Sequence, residues 1–380
     1  MPLSSSDRIT RDLQRDVHCL FGLPVDNLTM AQTKALLRER CNQEGNTVLA
    51  TINVNWVAQS LREPAFREAI INSDLVVLDG KPLLWLARLF GCPMRETVPG
   101  STLIQELLEE PSDQPLTIFL FGGEGDAAER AMERINERKN GGLRAIGSVN
   151  PGFGTVEAMS SDSIIATINN TQPDILLVAL GAKKGTQWIE HNRHRLNAKI
   201  ISHLGATINF LAGTVKRAPK IFRTLGLEWV WRIMQEPKLF SRYAADGWTL
   251  LRFLFPRLLS WWQCRNQRKQ IRCEQMEAEA VSIREHPDSI LVSLGGNLQI
   301  TNDAQFRHLL TRCAHSNKKI ILNFQKTKYV DSSFLGLVLL LQSRQKGKNR
   351  EVVLTNCNNR IITLFQLFNI IQEQPQRLDL

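Results

Sequence analysis

Segments with the pattern of strands and segments with the pattern of helices alternate over most of the first 205 residues of this chain. NTVLATINVNWV (46–57) is an apolar strand-like run, LREPAFREAIIN (61–72) has helical spacing, and SDLVVLDG (73–80) is a short strand ending in a turn. The alternation continues with predicted helices at 81–91, 126–140, 161–172 and 186–197, and predicted strands at 115–123, 143–154, 173–181 and 198–205. This order predicts an α/β domain with a mostly parallel sheet and helices on both faces. Ligands of such sheets bind at the carboxyl ends of the strands.

A second, shorter set of alternating segments lies towards the end of the chain and predicts a small α/β domain of its own. Its predicted strands are 289–298, 319–325 and 350–356, and its predicted helices are 304–316, 332–347 and 360–370. Between the two sets the alternation stops. The predicted organisation is an N-terminal extension (1–24), a first α/β domain (25–242), a linker (243–284) and the small C-terminal domain (285–380).

The net charge of +10 is concentrated in one region. Between Arg217 and Arg272 there are twelve Lys and Arg residues against three acids, and five of the eight tryptophans lie within 229–262. Apolar residues dominate 247–262, but two arginines and a proline interrupt them. This pattern favours a helix lying at an anionic membrane surface over a helix packed on the first domain or a contact with nucleic acid.

The compartment is predicted from the cysteines and the N-terminus. The seven cysteines are scattered without a C-x-x-C pair, so neither a disulfide framework nor a zinc or other metal site is expected. The first residues are polar and charged, and no apolar run reaches the roughly 18 residues of a spanning helix. We therefore expect a cytoplasmic protein, peripheral at the inner face of the membrane.

Asp79 is the first candidate for chemistry because it ends a buried strand and precedes a glycine. A carboxylate there could act as a general base at the mouth of a cleft. It could equally cap the helix that starts at Lys81-Pro82, since Asp is a good capping residue before a proline in the first turn. The residues alone favour capping.

Two other polar groups lie near predicted strand ends. Thr51, Asn53 and Asn55 would share one face if TINVN were a single strand, where they could hold a phosphate or a sugar or bond to neighbouring loops. The loop FGGEGD places Gly122 and Gly123 before a helix, where backbone N–H groups could receive an anion. That loop lacks the lysine of a P-loop, so it is also compatible with a plain tight turn.

Seven segments, in order, resemble the WecG/TagA/CpsF glycosyltransferases over residues 25–245. They are TINVNWV, SDLVVLDGKPLLW, RETVPGSTL, IFLFGGEGD, PDILLVALGAKKGTQWI, HLGATINFLAGTVKRAP and GLEWVWRIMQEPKLFSRY. The resemblance implies an inverting transfer from a nucleotide-sugar, usually UDP-linked, to a polyprenyl-pyrophosphate-linked sugar in exopolysaccharide or cell-wall polymer synthesis. It makes Asp79 the base for the acceptor hydroxyl and places Thr51 and Asn53 at the donor.

Side-chain cations are expected at the departing diphosphate, because the chain has no D-x-D motif to carry a metal. Arg217, Arg232 and Arg242 lie in the segments that resemble the family and are the predicted suppliers. No cofactor is expected.

Three places depart from the family pattern. The family has Arg at the position of Thr97, a Gln-Glu pair at Gly185-Thr186, and Asp at Asn209, which we keep as a predicted substrate residue. Lys183 and Lys184 are candidates to replace the missing cation. The alternative hypothesis is a degenerate transferase that binds nucleotide-sugar or partners as a regulated scaffold at the membrane surface.

The C-terminal segments NFQKTKYVDSS, FLGLVLLLQS and REVVLTNCNNRIITLFQLFNI resemble STAS domains. The D-S-S-G-L-like motif of that type places Asp331, Ser332 and Ser333 at a strand-helix junction, with Phe334 where glycine is familiar. The resemblance implies that Ser332 or Ser333 is regulatory, through phosphorylation or, with better odds, through docking of a protein partner. Asp331 or Ser332 could also simply cap the helix.

Overall fold

The computed structural model describes residues 5–215, 217–271, 281–298 and 304–370. The chain folds into two compact units. Residues 28–85 and 94–247 belong to the first unit, and residues 4–27, 86–93 and 248–380 to the second, as far as they are described. The chain therefore contributes residues from near its beginning to the same unit as its C-terminal part. The domain boundaries expected from the sequence stay a prediction. They divide the chain into consecutive segments, so they did not anticipate that residues near its beginning join the C-terminal part.

The chain opens with a helix and a β-hairpin that belong to the second unit. Helix α1 (Ser5–Leu13) is followed by strands β1 (Val17–Leu20) and β2 (Leu23–Asp26), which pair antiparallel. The two-residue turn has positive φ at both positions, 52° at Phe21 and 80° at Gly22. Such a turn matches the twist of a tight hairpin.

The first unit contains six parallel strands and the helices that connect them. Its elements are α2 (Met30–Cys41), β3 (Thr47–Ile52), α3 (Val54–Arg62), α4 (Pro64–Ile71), β4 (Leu75–Leu78), α5 (Lys81–Leu89), α6 (Gly100–Glu109), β5 (Leu116–Gly122), α7 (Ala127–Asn136), β6 (Leu143–Val149), α8 (Asp162–Thr171), β7 (Ile175–Ala179), α9 (Ala182–Asn192), β8 (Ile200–His203), α10 (Thr207–Ala212), α11 (Lys220–Thr224), α12 (Glu228–Gln235) and α13 (Leu239–Ile271), whose later residues belong to the second unit. Short 3₁₀ turns lie at Ala158–Ser160 and Arg193–Arg195.

The sheet of the first unit has the order β4-β3-β8-β7-β5-β6, and all of its neighbouring strands run parallel. Two separate clusters of buried side chains pack on it, one including α6, α7 and α10 and the other α8 and α9. The α/β fold predicted from the alternation is therefore confirmed. The carboxyl ends of β3, β4, β5 and β8 lie at one edge of this sheet.

The sequence prediction was wrong at the end of β3. The strand stops at Ile52, and Asn53 begins α3 because its side-chain oxygen accepts a hydrogen bond from the backbone N–H of Trp56, at 3.2 Å. Thr51, Asn53 and Asn55 therefore do not alternate along one strand face. Helices α2 and α6 were not predicted, and α9 begins at Ala182 rather than at 186.

Most of the basic aromatic region is helical where it is described. Helices α11 and α12 are short, whereas α13 runs for 33 residues and contains Pro256. None of the described helices is long and apolar enough to cross a membrane.

The remaining elements complete the second unit and confirm the predicted small α/β domain. They are β9 (Ser282–Glu285), β10 (Ser289–Leu298), α14 (Ala304–His315), β11 (Lys319–Val330), α15 (Ser332–Lys346), β12 (Val352–Thr355) and α16 (Asn359–Leu367). The sheet order is β12-β11-β10-β9, parallel except for β9, which pairs antiparallel with β10. Strand β9 was not predicted.

Candidate active site

Asp79 lies directly after β4, at the carboxyl edge of the sheet. Its backbone N–H donates to the carbonyl of Ile52 at 2.7 Å, so the β3–β4 pairing fixes the position of its backbone. In the described part of the chain no group is hydrogen-bonded to its carboxylate. Burial, and secondarily the carboxylate of Glu228, raise the pKa of Asp79 to about 7. The carboxyl group does not act as a helix cap, and it titrates where a general base is most effective.

The segment containing α11 and α12 packs onto the start of α5, just after Asp79. Lys81 Nζ donates to the carbonyl of Thr224 at 2.6 Å. Gly226 has φ +67°, and a Cβ there would lie 2.9 Å from Cβ of Lys81 and 3.1 Å from the ring of Trp85. Glycine is therefore needed for this close approach. The contact positions Glu228, at the beginning of α12, to act on Asp79 electrostatically.

Of the three polar residues predicted to share one strand face, Thr51 is the one that lies on β3, near the carboxyl edge of the sheet. It is buried, and its neighbour in the register is Val77, two residues before Asp79. A Cβ at Gly100, the first residue of α6, would lie 3.1 Å from the Thr51 hydroxyl oxygen. The N-terminus of α6, which no side chain caps, is therefore packed beside Thr51. The sequence prediction missed α6, although the Pro-Gly-Ser-Thr start of its helix was a usable signal.

The side chains of Asn53 and Asn55 already have structural partners. Asn53 caps α3, as described above. Asn55 donates from Nδ2 to Asp246 Oδ2 at 2.7 Å and accepts from Gln59 Nε2 at 3.0 Å. Arg62 pairs with the same Asp246 carboxylate at 3.2 Å. These bonds correspond to the structural alternative for both asparagines, and their role in binding stays a prediction.

The glycine loop after β5 is shaped by backbone that only glycine adopts easily. Gly122 and Gly123 have φ of +91° and +99°, and a Cβ at Gly122 would lie 2.6 Å from the carbonyl oxygen of Ala179. The amide of Asn150 ties the next loop to this one by donating to Gly125 O at 3.1 Å. That second loop presents Phe153, whose side chain is fully exposed. The sequence prediction did not single out this aromatic ring.

The next group of polar side chains is carried by α10 and α12. The side chain of Asn209 on α10 is partly exposed and has no hydrogen-bond partner among the described residues. The guanidinium of Arg232 lies 5.9 Å from the ring centroid of Phe210, the residue after Asn209. It also pairs with Glu236 at 3.4 Å. Arg232 is therefore held beside α10 through its contact with Phe210.

Arg217 is half-buried and donates a hydrogen bond to the hydroxyl of Thr102 on α6. Burial lowers the pKa of Arg217, as does the nearby Arg223, while Glu228 acts in the opposite direction. Glu228 is thus electrostatically coupled to both Asp79 and Arg217. The guanidinium of Arg242 lies over the ring of Tyr243, 5.2 Å from the ring centroid.

No group of three or more His, Cys, Asp or Glu side chains that could hold a metal ion occurs within the described residues. The expectation that arginine side chains take the place of a metal at the diphosphate stays a prediction, and Arg217 is connected to Asp79 only through the coupling of both groups to Glu228.

Gly185 is one of the positions expected to depart from the family pattern, and the structure leaves no room for a side chain there. A Cβ on Gly185 would lie 2.0 Å from Cδ2 of His203, whose Nε2 is 2.5 Å from the carbonyl oxygen of Leu180. The imidazole thus fills the space that a side chain at position 185 would need. Thr186 is buried and donates to the carbonyl of Ala182 within α9.

The two candidate replacement lysines are occupied elsewhere. Lys183 pairs with Glu63 at 2.7 Å, and Lys184 donates to the carbonyl of Gly154 at 2.9 Å. Thr97, which is expected from the sequence to replace an arginine, is partly exposed two residues before the cap of α6.

Ser332 and Ser333 lie in the second unit, at the start of α15. Asp331 caps this helix by accepting from the backbone N–H of Phe334 at 2.7 Å. Phe334 is fully buried, and its ring centroid is 5.9 Å from that of Phe324. Both serines are buried, and their regulatory role stays a prediction.

Comparison with known proteins matches residues 18–267 to the sequence model of the glycosyl transferase WecG/TagA/CpsF family. The chain belongs to this family. Residues 281–372 match the STAS domain described as "Mlab, STAS domain", so the predicted C-terminal STAS domain is also confirmed. The WecG/TagA/CpsF match extends beyond the first unit and includes the β1–β2 hairpin from residue 18 and part of α13.

Curated relatives include proteins of Staphylococcus aureus strains MRSA252, MW2 and NCTC 8325, each named N-acetylglucosaminyldiphosphoundecaprenol N-acetyl-beta-D-mannosaminyltransferase. Each is 25% identical over 229 residues, which are 59% of this chain and 86% of the relative. The relatives are hexosaminyl transferases, so the family assignment includes the enzyme class predicted from the sequence.

Proposed function

We propose that this chain is an inverting transferase that moves an N-acetylhexosamine from a UDP-sugar to a polyprenyl-diphosphate-linked sugar. The observation that carries the proposal is Asp79, a partly exposed residue whose carboxyl group has no hydrogen-bond partner among the described residues and whose pKa is raised to about 7 by burial and by Glu228. The names of the Staphylococcus aureus relatives support the acceptor class, because their acceptor is a sugar linked through diphosphate to undecaprenol. The product would serve exopolysaccharide or cell-wall polymer synthesis.

In the proposed reaction Asp79 removes the proton from the acceptor hydroxyl as the hydroxyl oxygen attacks C1 of the donor sugar. The bond from C1 to the diphosphate oxygen breaks, and its electron pair leaves with the diphosphate. Attack opposite the leaving group inverts the anomeric carbon. A carboxylate whose pKa lies near the working pH is effective in such a proton transfer.

The leaving diphosphate gains charge in the transition state and needs donors and cations that are already in place. Arg217 is held by Thr102 at α6 and is electrostatically coupled to Glu228 beside Asp79. Arg232 lies over the ring of Phe210 on α10, the residue after Asn209. We assign Arg217 and Arg232 to the diphosphate, with Thr51 and the loop of Gly122 and Gly123 lining the donor. Arg242 and the amide of Asn53 stay weaker members of this proposed site.

The exposed ring of Phe153 offers a flat surface for the base of the nucleotide. Asn150 anchors its loop to the glycine loop, and Lys184 anchors it to α9. Planar stacking on an aromatic side chain costs little rotamer freedom when the loop is already fixed.

We also propose that the protein works at the cytoplasmic face of an anionic membrane. In the first unit Ile221, Leu225, Trp229 and Phe240 are exposed on or next to α11, α12 and the start of α13. A lipid-linked acceptor is presented at a bilayer surface, where exposed apolar and basic residues lower the free energy of binding.

The part of α13 that belongs to the second unit shows a clear exposed stripe. Trp248, Leu251, Phe255 and Leu258 follow the i, i+3, i+7 and i+10 positions of one helix face, and all four are exposed. Leu250 and Leu254, on the other face, are buried. The side chains of Trp261 and Trp262 lie outside the described residues.

The decisive test is transfer from a panel of radiolabelled UDP-sugars to polyprenyl-diphosphate-linked N-acetylglucosamine in lipid extract. We expect one UDP-N-acetylhexosamine to label the lipid, and the signal to disappear in Asp79→Asn. Binding of UDP without transfer from any donor would instead support the regulated scaffold, which the departures at Thr97, Gly185, Thr186 and Asn209 keep as the alternative.

The membrane contact is tested with vesicles containing anionic phospholipid. The double variant Leu251→Ser and Phe255→Ser should sediment much less with these vesicles than the parent protein. Phe153→Ser is the matched control, because it also removes an exposed aromatic ring but lies outside α13. Equal sedimentation of the parent and the double variant would contradict the proposed contact.

A further inference from the structure

The start of α15 in the STAS-containing unit lies against residues from the beginning of the chain. His18 Nδ1 of β1 is 2.9 Å from the hydroxyl oxygen of Ser332, and both side chains are buried. Ser333 is 0% exposed. Its hydroxyl has no hydrogen-bond partner among the described residues. The motif serines therefore face protein, not solvent.

Gly336, four residues after Ser332, shows how closely strand β1 approaches α15. A Cβ on Gly336 would lie 3.1 Å from Cγ2 of Val17, 3.2 Å from the carbonyl oxygen of Val17 and 3.2 Å from the backbone nitrogen of Cys19. Strand β1 thus runs over α15 where the helix has no side chain. We call the surface formed by Ser332 and Gly336 the serine surface.

Helix α1 is fixed to the same unit by charged and polar contacts. Arg307 of α14 donates to the carbonyls of Leu13 and Arg15 at 2.8 and 2.7 Å, at the end of α1. Arg344, near the end of α15, pairs with Asp12 at 2.5 Å. The bond to Leu13 satisfies the carbonyl of the last residue of α1, a position where a helix provides no partner of its own. The contacts extend from the first turn of α15 to its last.

The apolar side chains of this segment are as buried as those of a domain interior. Seven of them have no exposed surface: Ile9, Leu13, Val17, Cys19, Leu20, Leu23 and Val25. Departure of the segment would bring this apolar surface into water and remove the partners of buried charged groups such as Arg307.

We propose that the serine surface of the STAS domain is the docking surface for residues 5–26 of the same chain. The domain holds residues 5–26 in place through intramolecular contacts and does not offer this surface to a separate regulatory protein. A kinase reaches the hydroxyl of Ser332 only after β1 has left. This assignment uses contacts within the second unit and is independent of the transferase proposal.

Hydrogen exchange followed by mass spectrometry on the full chain tests the assignment. In the parent protein the amides of 17–26 should exchange within about tenfold of the slowest amides of β10 and β11, as expected of one cooperative unit. Exchange of 17–26 at the rate of the exposed loop 150–154, with β10 and β11 still protected, would overturn the proposal.

A pair of glycine variants on α15 gives a second measurement. Gly336→Leu should increase exchange over 17–26 by about 100-fold or more while β10 and β11 keep their protection. Gly347→Leu is the matched control, because a Cβ at Gly347 meets its nearest atoms at an ordinary 3.7 Å. Unchanged exchange over 17–26 in Gly336→Leu would contradict the close approach of β1. If that variant does not fold, the parent measurement alone decides.

Discussion

Both units place an aspartate at a junction between a parallel strand and a helix, but the two carboxylates are used differently. Asp331 accepts a hydrogen bond from the first turn of α15 and is followed by two buried serines. Asp79 has no such bond among the described residues and is partly exposed. Its pKa is raised, whereas the Asp331 carboxylate is satisfied locally.

The difference shows that the strand-Asp-helix pattern does not itself decide between structure and chemistry. A carboxylate that caps a helix gains its hydrogen bond from the fold. A carboxylate left without one, close to another carboxylate and partly desolvated, is destabilised in its charged form. Such groups concentrate at functional sites. The neighbours of the aspartate therefore carry the information that the local sequence lacks.

The largest expected effect separates the two aspartates directly. Asp79→Asn should lower transfer by about 10²–10⁴-fold, the contribution of a general base. Initial rates with a UDP-N-acetylhexosamine and a polyprenyl-linked acceptor measure it. Asp331→Asn is the matched control, since Asn caps a helix about as well as Asp and should leave the rate of transfer unchanged.

Asp79→Asn should not reduce the stability of the protein. The folded-state pKa of Asp79 is above its unfolded value, so the folded protein binds the proton more tightly, and stability falls as the pH rises from about 4 to about 7. Asparagine removes that loss, so thermal unfolding at pH 8 should shift upward in Asp79→Asn. A downward shift would show that the carboxylate has a structural partner.

The second effect concerns the buried serines. Ser333→Asp should destabilise the second unit by about 3 kcal/mol or more, because it buries a charge where the hydroxyl already lacks a partner. Ser333→Ala should be neutral or slightly stabilising. Urea unfolding monitored at the second unit separates the two variants, and equal midpoints would mean that Ser333 is accessible to water.

The capping role of Asp331 predicts a smaller effect. Asp331→Ala should cost about 1 kcal/mol in the stability of the second unit, and Asp331→Asn close to nothing. Both are read from the same urea transitions. If alanine and asparagine have equal effects, the hydrogen bond to Phe334 does not hold α15 in place.

The smallest expected effect is a shift in the pH profile of transfer. The rate should rise with pH up to about 7 and level off above it, because only the ionised Asp79 accepts a proton. Glu228 helps to raise that pKa, so Glu228→Gln should move the rise to lower pH by less than about one unit. A profile that stays in place would mean that burial alone sets the pKa.

The architecture was predictable because the crossover helices and buried strands of a parallel sheet leave a regular alternation in the sequence. The end of β3 was not, since Asn53 reads equally well as a strand residue or as a helix cap, and only the hydrogen bond from Trp56 decides. The hairpin of β1 and β2 was missed because its strands are four residues long and buried at every position. They show no alternation to detect.

Asp79 was found from its position, but its surroundings were not. The partner that helps to raise its pKa, Glu228, comes from 149 residues further along the chain. Likewise, the space at Gly185 on α9 is filled by His203, which lies at the end of β8. Such contacts depend on packing between elements, which no local pattern encodes.

The grouping of residues 5–26 with the C-terminal part of the chain has a consequence for synthesis on the ribosome. The hairpin is synthesised before α14 and α15, which follow it some 300 residues later. At roughly 5–20 residues per second, its apolar side chains remain without these partners for on the order of 15–60 s. During that time the hairpin is a ready substrate for a chaperone, and shortening the chain before α14 would leave it unprotected throughout.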